Sequence, residues 1–284
     1  MDYWIWLASI EGLGSIRKMR ALQKFRTPEN FYNAGKKEVL SIDGFGKGIY
    51  EKIEVSKNKE NIEKIIKQNE LLKIKYINFF DDEYPKTLKN IYDMPITLFY
   101  KGDIKLLKER IIAIIGSRNA SNYGLRNAYN IARDATFEKY TIVSGLARGV
   151  DTYAHKGVLV NGGKTIGVLG CGLDIIYPKE NFNIYLEMFE KGLVISEYVV
   201  GTKPCPENFP MRNRIISGLA EKIVVVEATI NSGTSITVNC ALEQGKDVYA
   251  VPGNINSNMS MGTNKLIKEG AGIYTCIKDL QDWK

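Results

Sequence analysis

The residues best equipped for chemistry in this chain are arginines set among glycines and serines. The sequence holds 29 lysines and only 10 arginines. Yet the cations in and beside "GSRNASNYG" (116–124) and within "ENFPMRNRIISGLAE" (207–221) are all arginine: Arg118, Arg126, Arg212 and Arg214. In a lysine-rich protein that choice favours the planar guanidinium fork, which grips a phosphate bidentately or stacks on a base. Three more stretches mix small residues with polar ones: "SGLARGVDTYAHKG" (144–157), "GCGLDIIYPKEN" (170–181) and "NSGTSITVNCALEQGKDVYAVPG" (231–253). Glycines closing apolar runs let a backbone approach a phosphate, and N–H groups at a helix start bind it.

The candidate binding set drawn from these stretches has three parts. Gly116, Ser117, Arg118, Ser144, Gly145, Arg148, Gly170 and Gly172 follow apolar runs. Phe209, Arg212, Asn213 and Arg214 form an opposite wall, and Ser232, Gly233 and Thr234 precede a helical pattern. Ser117, Ser144 and Ser232 offer neutral donors, while Arg118 and Arg148 would meet a phosphate from the strand-end side. Phe209 stacks a base or is buried in a rigid loop. Arg212 and Arg214 close a groove, or form ion pairs at a helix start with Asn213 as its cap.

Other chemistries fit poorly. A dinucleotide site needs G-x-G-x-x-G and an acid about 20 residues on; here Gly116 is followed by Ser117-Arg118-Asn119 and the acid is missing. "GGKT" (162–165) imitates the end of a Walker A loop, but Val158 stands where the first glycine belongs and a strand follows instead of a helix. Neither a nucleotide cofactor nor a metal is expected. A single histidine and four scattered cysteines, Cys171, Cys205, Cys240 and Cys276, make no zinc cluster. Reduced, mostly buried thiols in a cytosolic protein are expected. His155 has no nucleophile beside it in sequence and reads as a packing or capping residue. Asp174 reads as a turn-former, so no catalytic residue is assigned.

Two kinds of element must position these loops. From residue 111 onward, apolar β-type runs at 111–115, 141–143, 166–169, 193–195, 223–227 and 248–251 alternate with helical spacing, as in 123–137 and 234–244. Continuous hydrophobicity predicts strands covered on both faces, hence an α/β fold with a mostly parallel sheet and flanking helices. Its ligands bind beyond the carboxyl ends of the strands. Residues 1–70 read as helical, with two similar pieces at 7–25 and 39–53. Each carries a Gly-apolar-Gly turn, Gly12-Leu13-Gly14 and Gly44-Phe45-Gly46. That pattern resembles the helix-hairpin-helix motif, whose turn places N–H groups against DNA phosphate, or it is a hairpin that only needs positive φ at glycine. Residues 71–110 read as a connector with short strands. The net charge of +7 permits an anionic partner. A 44% hydrophobic share without any run of membrane-spanning length argues against a membrane protein.

The ordered run GSR, SGLARGVDxxAH, GVLGCGLDxIYPxEN, NFPxRNRIISGLA and SGTxxTxxxALEQGxxVYAVPG resembles the DNA-processing protein A (DprA/Smf) family. The likeness covers about 75–284, and Tyr84-Pro85 and Tyr100-Lys101-Gly102 fit it too. It implies a Rossmann-like domain (111–284) that binds single-stranded DNA without catalysis, dimerises, and loads the RecA recombinase in natural transformation and homologous recombination. It also implies a helical N-terminal domain (1–70) of sterile-alpha-motif or helix-hairpin-helix type. The family's C-terminal winged helix is not expected here. Dimerisation is expected around 262–275, where Leu266, Ile267 and Ile273 offer an apolar patch. Met94 before Pro95, Met211 at a position that is basic in many relatives, and Lys203 as the sole cation of its loop depart from the pattern. An alternative is a nucleotide phosphoribohydrolase of a related Rossmann-like group. "NSGTSITVNCALEQG" echoes its loop through Gly233, Thr234 and Glu243, without the Pro-Gly-Gly opening.

Overall fold

The computed structural model describes residues 1–230 and 232–281; Asn231, which opens the last of the quoted stretches, and residues 282–284 lie outside them. Nine strands form one sheet: β1 (Lys75–Asn78), β2 (Thr97–Gly102), β3 (Ile111–Ile115), β4 (Thr141–Ser144), β5 (Thr165–Leu169), β6 (Leu193–Ser196), β7 (Lys222–Val225), β8 (Asp247–Ala250) and β9 (Gly272–Ile273). Their order is β1-β2-β6-β5-β4-β3-β7-β8-β9. All neighbours from β6 to β9 pair in parallel, while β1 and β2 add an antiparallel edge. The protein is thus α/β with a mostly parallel sheet, and the segment read as a connector supplies two strands of that sheet.

Every residue of β3 through β7 is buried because helices cover both faces. Successive side chains alternate faces. Ile112 and Ile114 join a core with Ala128, Ala132, Ala154 and Val158, from the helices Asn122–Phe137 and Val150–Val160. Ala113 and Ile115 join Ile215, Ile216, Leu219, Val238 and Ala241, from the helices Asn208–Leu219 and Thr234–Glu243. The chain builds outward from β3 to β6 on one side, then returns to lay β7 on the other. The carboxyl ends of β3 and β7 therefore flank the topological switch point, where open α/β sheets bind ligands.

Six helices fill Tyr3 to Leu72. Their core of Trp6, Phe31, Ile53 and Ile62 runs on without a break into Phe99, Leu169, Tyr185 and Val194 of the sheet side. Gly12 and Gly44 take positive φ, +71° and +80°, as the two hairpin turns require. The second turn backs onto the helix Ser15–Phe25: Arg17 Nε donates to Gly44 O at 3.2 Å, and Arg20 Nη1 to Asp43 O at 3.0 Å. Among the described residues, no helix is long and apolar enough to cross a membrane. All four cysteines are free, but only Cys171 is buried; Cys205 and Cys276 lie exposed in connecting segments, which corrects the expectation of mostly buried thiols.

Candidate nucleic-acid interface

At the switch point lies a crevice of about 480 Å³. One wall is the loop after β3. Gly116 runs so close to its neighbours that a Cβ there would meet Val150 Cγ2 at 2.7 Å and Glu227 O at 3.0 Å. Ser117 N donates to Glu227 O at 2.8 Å, and Val150 N donates to Ser117 O at 3.2 Å. The buried Glu227 carboxylate accepts from Ser121 N at 2.8 Å and Ser121 Oγ at 2.6 Å. The loop is pinned at both ends, and Arg118 projects from it into solvent.

The facing wall is the start of the helix Asn208–Leu219. Phe209 is half-buried, and its ring stacks on Tyr177 with centroids 5.7 Å apart and planes at 27°. The Arg118 guanidinium lies 5.2 Å from the Phe209 centroid, within cation–π range. No carboxylate among the described residues pairs with Arg118, so its charge is uncompensated. The third wall is the start of the helix Thr234–Glu243, with Ser232, Gly233 and Thr234 on the crevice. Ser232 Oγ is buried there without a hydrogen-bond partner among the described residues.

Beneath these walls sits Arg212, only 4% exposed. Its Nη1 donates to Gly145 O at 2.7 Å and to Val168 O, and its Nε donates to Asn213 Oδ1 at 3.1 Å. Burial pushes its pKa down, and nearby Asp151 opposes that shift. Asp151 accepts from Gly145 N and Ala147 N at 3.1 and 3.3 Å. Burial raises the Asp151 pKa, with Arg212 pulling the other way. This guanidinium ties the helix Asn208–Leu219 to the carboxyl ends of β4 and β5. A Cβ on Gly145 would lie 2.6–2.7 Å from three of its atoms. Gly145→Ala should therefore cost about 1–3 kcal/mol of stability through overpacking, read as a shifted urea midpoint at unchanged slope.

The structure sorts the sequence-derived set. Gly116, Ser117, Arg118, Phe209, Arg212, Asn213, Ser232, Gly233 and Thr234 line the crevice. Gly145 and Arg148 line a small adjoining recess with Tyr177. Arg148 pairs at 2.6 Å with Glu180, both well exposed, so a phosphate would meet little resistance in displacing the carboxylate.

Four residues do not reach the crevice. Ser144 Oγ is buried and donates to Ile114 O at 2.7 Å, which corrects its reading as a free donor. Gly170 supports Phe209 from behind, with a notional Cβ 3.0 Å from its ring. Gly172 packs against Asp174, whose carboxylate accepts from Gly201 N at 3.0 Å and so orders a turn. Arg214 points away, 3% exposed, into an ion-pair cluster with Asp93 and Glu197, at 2.9 and 2.7 Å. One helical turn holds Arg212 and Arg214 on different sides because two residues advance the helix by more than half a turn.

Sequence reasoning missed Tyr177, Asp151 and Glu227. Tyr177 stood within a quoted stretch, and only its stacking on Phe209 marks it out. Leu266 packs against the core, while Ile273 is 52% exposed on the edge strand β9. Among the described residues no cluster of three His, Cys, Asp or Glu is placed to hold a metal.

A family model described as DNA recombination-mediator protein A matches residues 75–283. DNA processing protein DprA of Streptococcus pneumoniae is 45% identical over 185 residues, 65% of this chain and 65% of that protein. Protein Smf of Synechocystis is 36% identical over 254 residues, 88% of this chain and 64% of that protein. The chain thus matches just under two thirds of the length of either relative. Among solved structures, that of DNA processing protein A from Streptococcus pneumoniae superposes with a TM-score of 0.87 at 36% identity, covering 99% of this chain and 96% of that one. The Helicobacter pylori protein, solved for its single-stranded DNA binding mode, gives 0.66 at 31% identity, covering 72% and 94%. A switch-point crevice carrying arginine and aromatic side chains, and a match to the family model over more than two thirds of the residues, place this chain in the DNA recombination-mediator protein A family.

Proposed function

We propose that the crevice binds single-stranded DNA without transforming it. The observation that carries this reading is Arg118, an uncompensated guanidinium held over the Phe209–Tyr177 stack beside a helix start. Stacking surface plus a cation tracks a flexible, unpaired backbone, because every base offers a π-face. The Helicobacter pylori relative, whose structure is described by its single-stranded DNA binding mode, supports it.

The carboxylates near the crevice speak against hydrolysis. Asp151 is hydrogen-bonded to backbone amides, and Glu227 holds Ser121. Glu243 ends its helix, roughly 13 Å along the axis from the helix start. In this reading the bound strand is handed to the RecA recombinase during recombination, natural transformation included. A homodimer forms through the 262–275 segment, with Ile267 and Ile273 at its surface and Leu266 set back against the core.

The test is fluorescence anisotropy with a labelled dT oligomer at several salt concentrations. Wild type binds the oligomer more tightly than a blunt duplex of equal length. Arg118→Ala weakens binding about tenfold and flattens the salt slope by about 0.7, the share of one phosphate. Equal affinity for duplex and single strand, or an unchanged Arg118→Ala variant, overturns the reading. Base release from nucleoside monophosphates would favour the hydrolase instead. Sedimentation velocity at micromolar concentration should show a dimer, and a monomer removes that part.

A further inference from the structure

We propose that a strand leaving the crevice is held at a second subsite on the helical N-terminal segment, a groove built around Tyr92 and Arg17. The proposal rests on the reading of the crevice as a single-strand site. A groove of about 350 Å³ lies between the start of the helix Ser15–Phe25, the segment before β2 and the first turn of the helix Asn208–Leu219, lined by Arg17, Arg20, Gly44, Tyr92, Asp93 and Met211 among others. Met211 stands two residues after Phe209 and one before Arg212, both of which line the crevice. The two depressions therefore share one ridge, the first turn of the helix Asn208–Leu219. A polynucleotide longer than the crevice must leave it, and this is a direct way out.

The groove has both features that an unpaired strand needs. Tyr92 is 86% exposed, yet the backbone on each side of it is anchored. Ile91 is buried and packs on Gly218, where a Cβ would sit 3.3 Å from Ile91 Cγ2. Asp93 lies 2.9 Å from Arg214 Nε. An aromatic ring protruding from a fixed backbone is a stacking platform, and Met211, 44% exposed, adds apolar surface beside it.

The charge is complementary too. Arg20 is paired with Asp43 at 2.8 Å, and Asp93 with Arg214, so the carboxylates at the groove are each engaged. Arg17 has no carboxylate partner among the described residues; only its Nε is engaged, by Gly44 O. The second hairpin contributes little backbone of its own, because its turn carbonyls face Arg17 and Arg20.

The experiment compares dT oligomers of about 4 and about 16 nucleotides on the full chain by anisotropy. Tyr92→Ala should weaken the long oligomer about tenfold, the loss of one stacked base, and leave the short one unchanged. Arg17→Gln should lower the salt slope by about 0.7 for the long oligomer only. Both side chains are exposed, so neither change disturbs the core. Wild-type affinity of both variants for the long oligomer, alongside weak binding of both oligomers by Arg118→Ala, overturns the subsite and leaves the crevice reading standing. Failure of the wild-type chain to bind either oligomer overturns both.

Discussion

Arg214→Ala loses about 3–5 kcal/mol of folding stability, as removal of one partner from a buried ion pair does. Arg214 is 3% exposed, and its guanidinium is where three parts of the chain meet. Nη2 donates to Glu197 Oε2 at 2.7 Å and to Ser15 Oγ at 3.0 Å, and Ser15 Oγ donates in turn to Glu197 Oε1 at 2.6 Å. Asp93 lies 2.9 Å from Nε, an ion pair by distance rather than an aligned hydrogen bond. Burial alone would weaken the charge, but Glu197 and Asp93 outweigh it and the pKa is raised. Alanine leaves Asp93 and Glu197 without their shared guanidinium, and Glu197 facing the weaker charge of the buried Lys18, whose pKa burial has pushed down to about 8.

Ser15 opens the second helix of the first N-terminal hairpin, so the loss also loosens that segment from the sheet. Urea unfolding of Arg214→Ala, Glu197→Gln and the double variant checks this. The double variant should be less destabilised than the sum, with a coupling of about 1–3 kcal/mol. An additive result would mean that the cluster does not hold the segments together. Affinity of the folded variant for a dT oligomer should change far less than in Arg118→Ala, because Arg214 does not line the crevice.

This cluster also shows where sequence reading runs out. Strand positions from β3 to β7 were legible because burial on both faces demands runs rich in Ile, Val and Leu, a local signal. The site loops were legible because glycine, serine and arginine concentrate after those runs. What the sequence could not reveal is which way two arginines two residues apart would face. Arg212 and Arg214 share a motif, and either could serve a groove or an ion pair. The decision rests with Asp93 and Glu197, which only folding brings to Arg214, and with Gly145 O and Val168 O at Arg212. Both guanidiniums are buried, so neither closes the groove, and the exposed cations at the crevice and its recess are Arg118 and Arg148. Glu227 was silent for the same reason: its partner Ser121 is 106 residues away. The edge strands β1 and β2 were visible as strands, but their place beside β6 depends on pairing that no periodicity encodes.

The single histidine gives the second large effect. His155 is fully buried, with Nδ1 2.7 Å from Thr165 Oγ1. Thr165 Oγ1 donates its own proton to Ile142 O at 2.9 Å, so Nδ1 must carry the hydrogen and donate to Thr165. Nε2 then holds a bare lone pair, with no partner among the described residues. Burial, helped by the nearby Arg212 charge, pushes the pKa from 6.5 down to about 3. The unfolded chain therefore takes up a proton that the folded one refuses. Stability is complete above pH 6.5 and drains away as pH falls toward 3, by about 5 kcal/mol over the whole window.

His155→Asn keeps a donor near the Nδ1 position but cannot be protonated. It should lose stability at pH 7 through poorer packing, yet fall less steeply between pH 6.5 and 5, by about 2 kcal/mol relative to wild type. Carboxylates that titrate lower contribute equally to both proteins. Because the chain has one histidine, its ring proton resonances need no assignment. In the folded protein they should stay at the neutral position through pH 5. A midpoint near 6.5 would mean that the ring is solvated, and that the helix Val150–Val160 does not seal it against the start of β5.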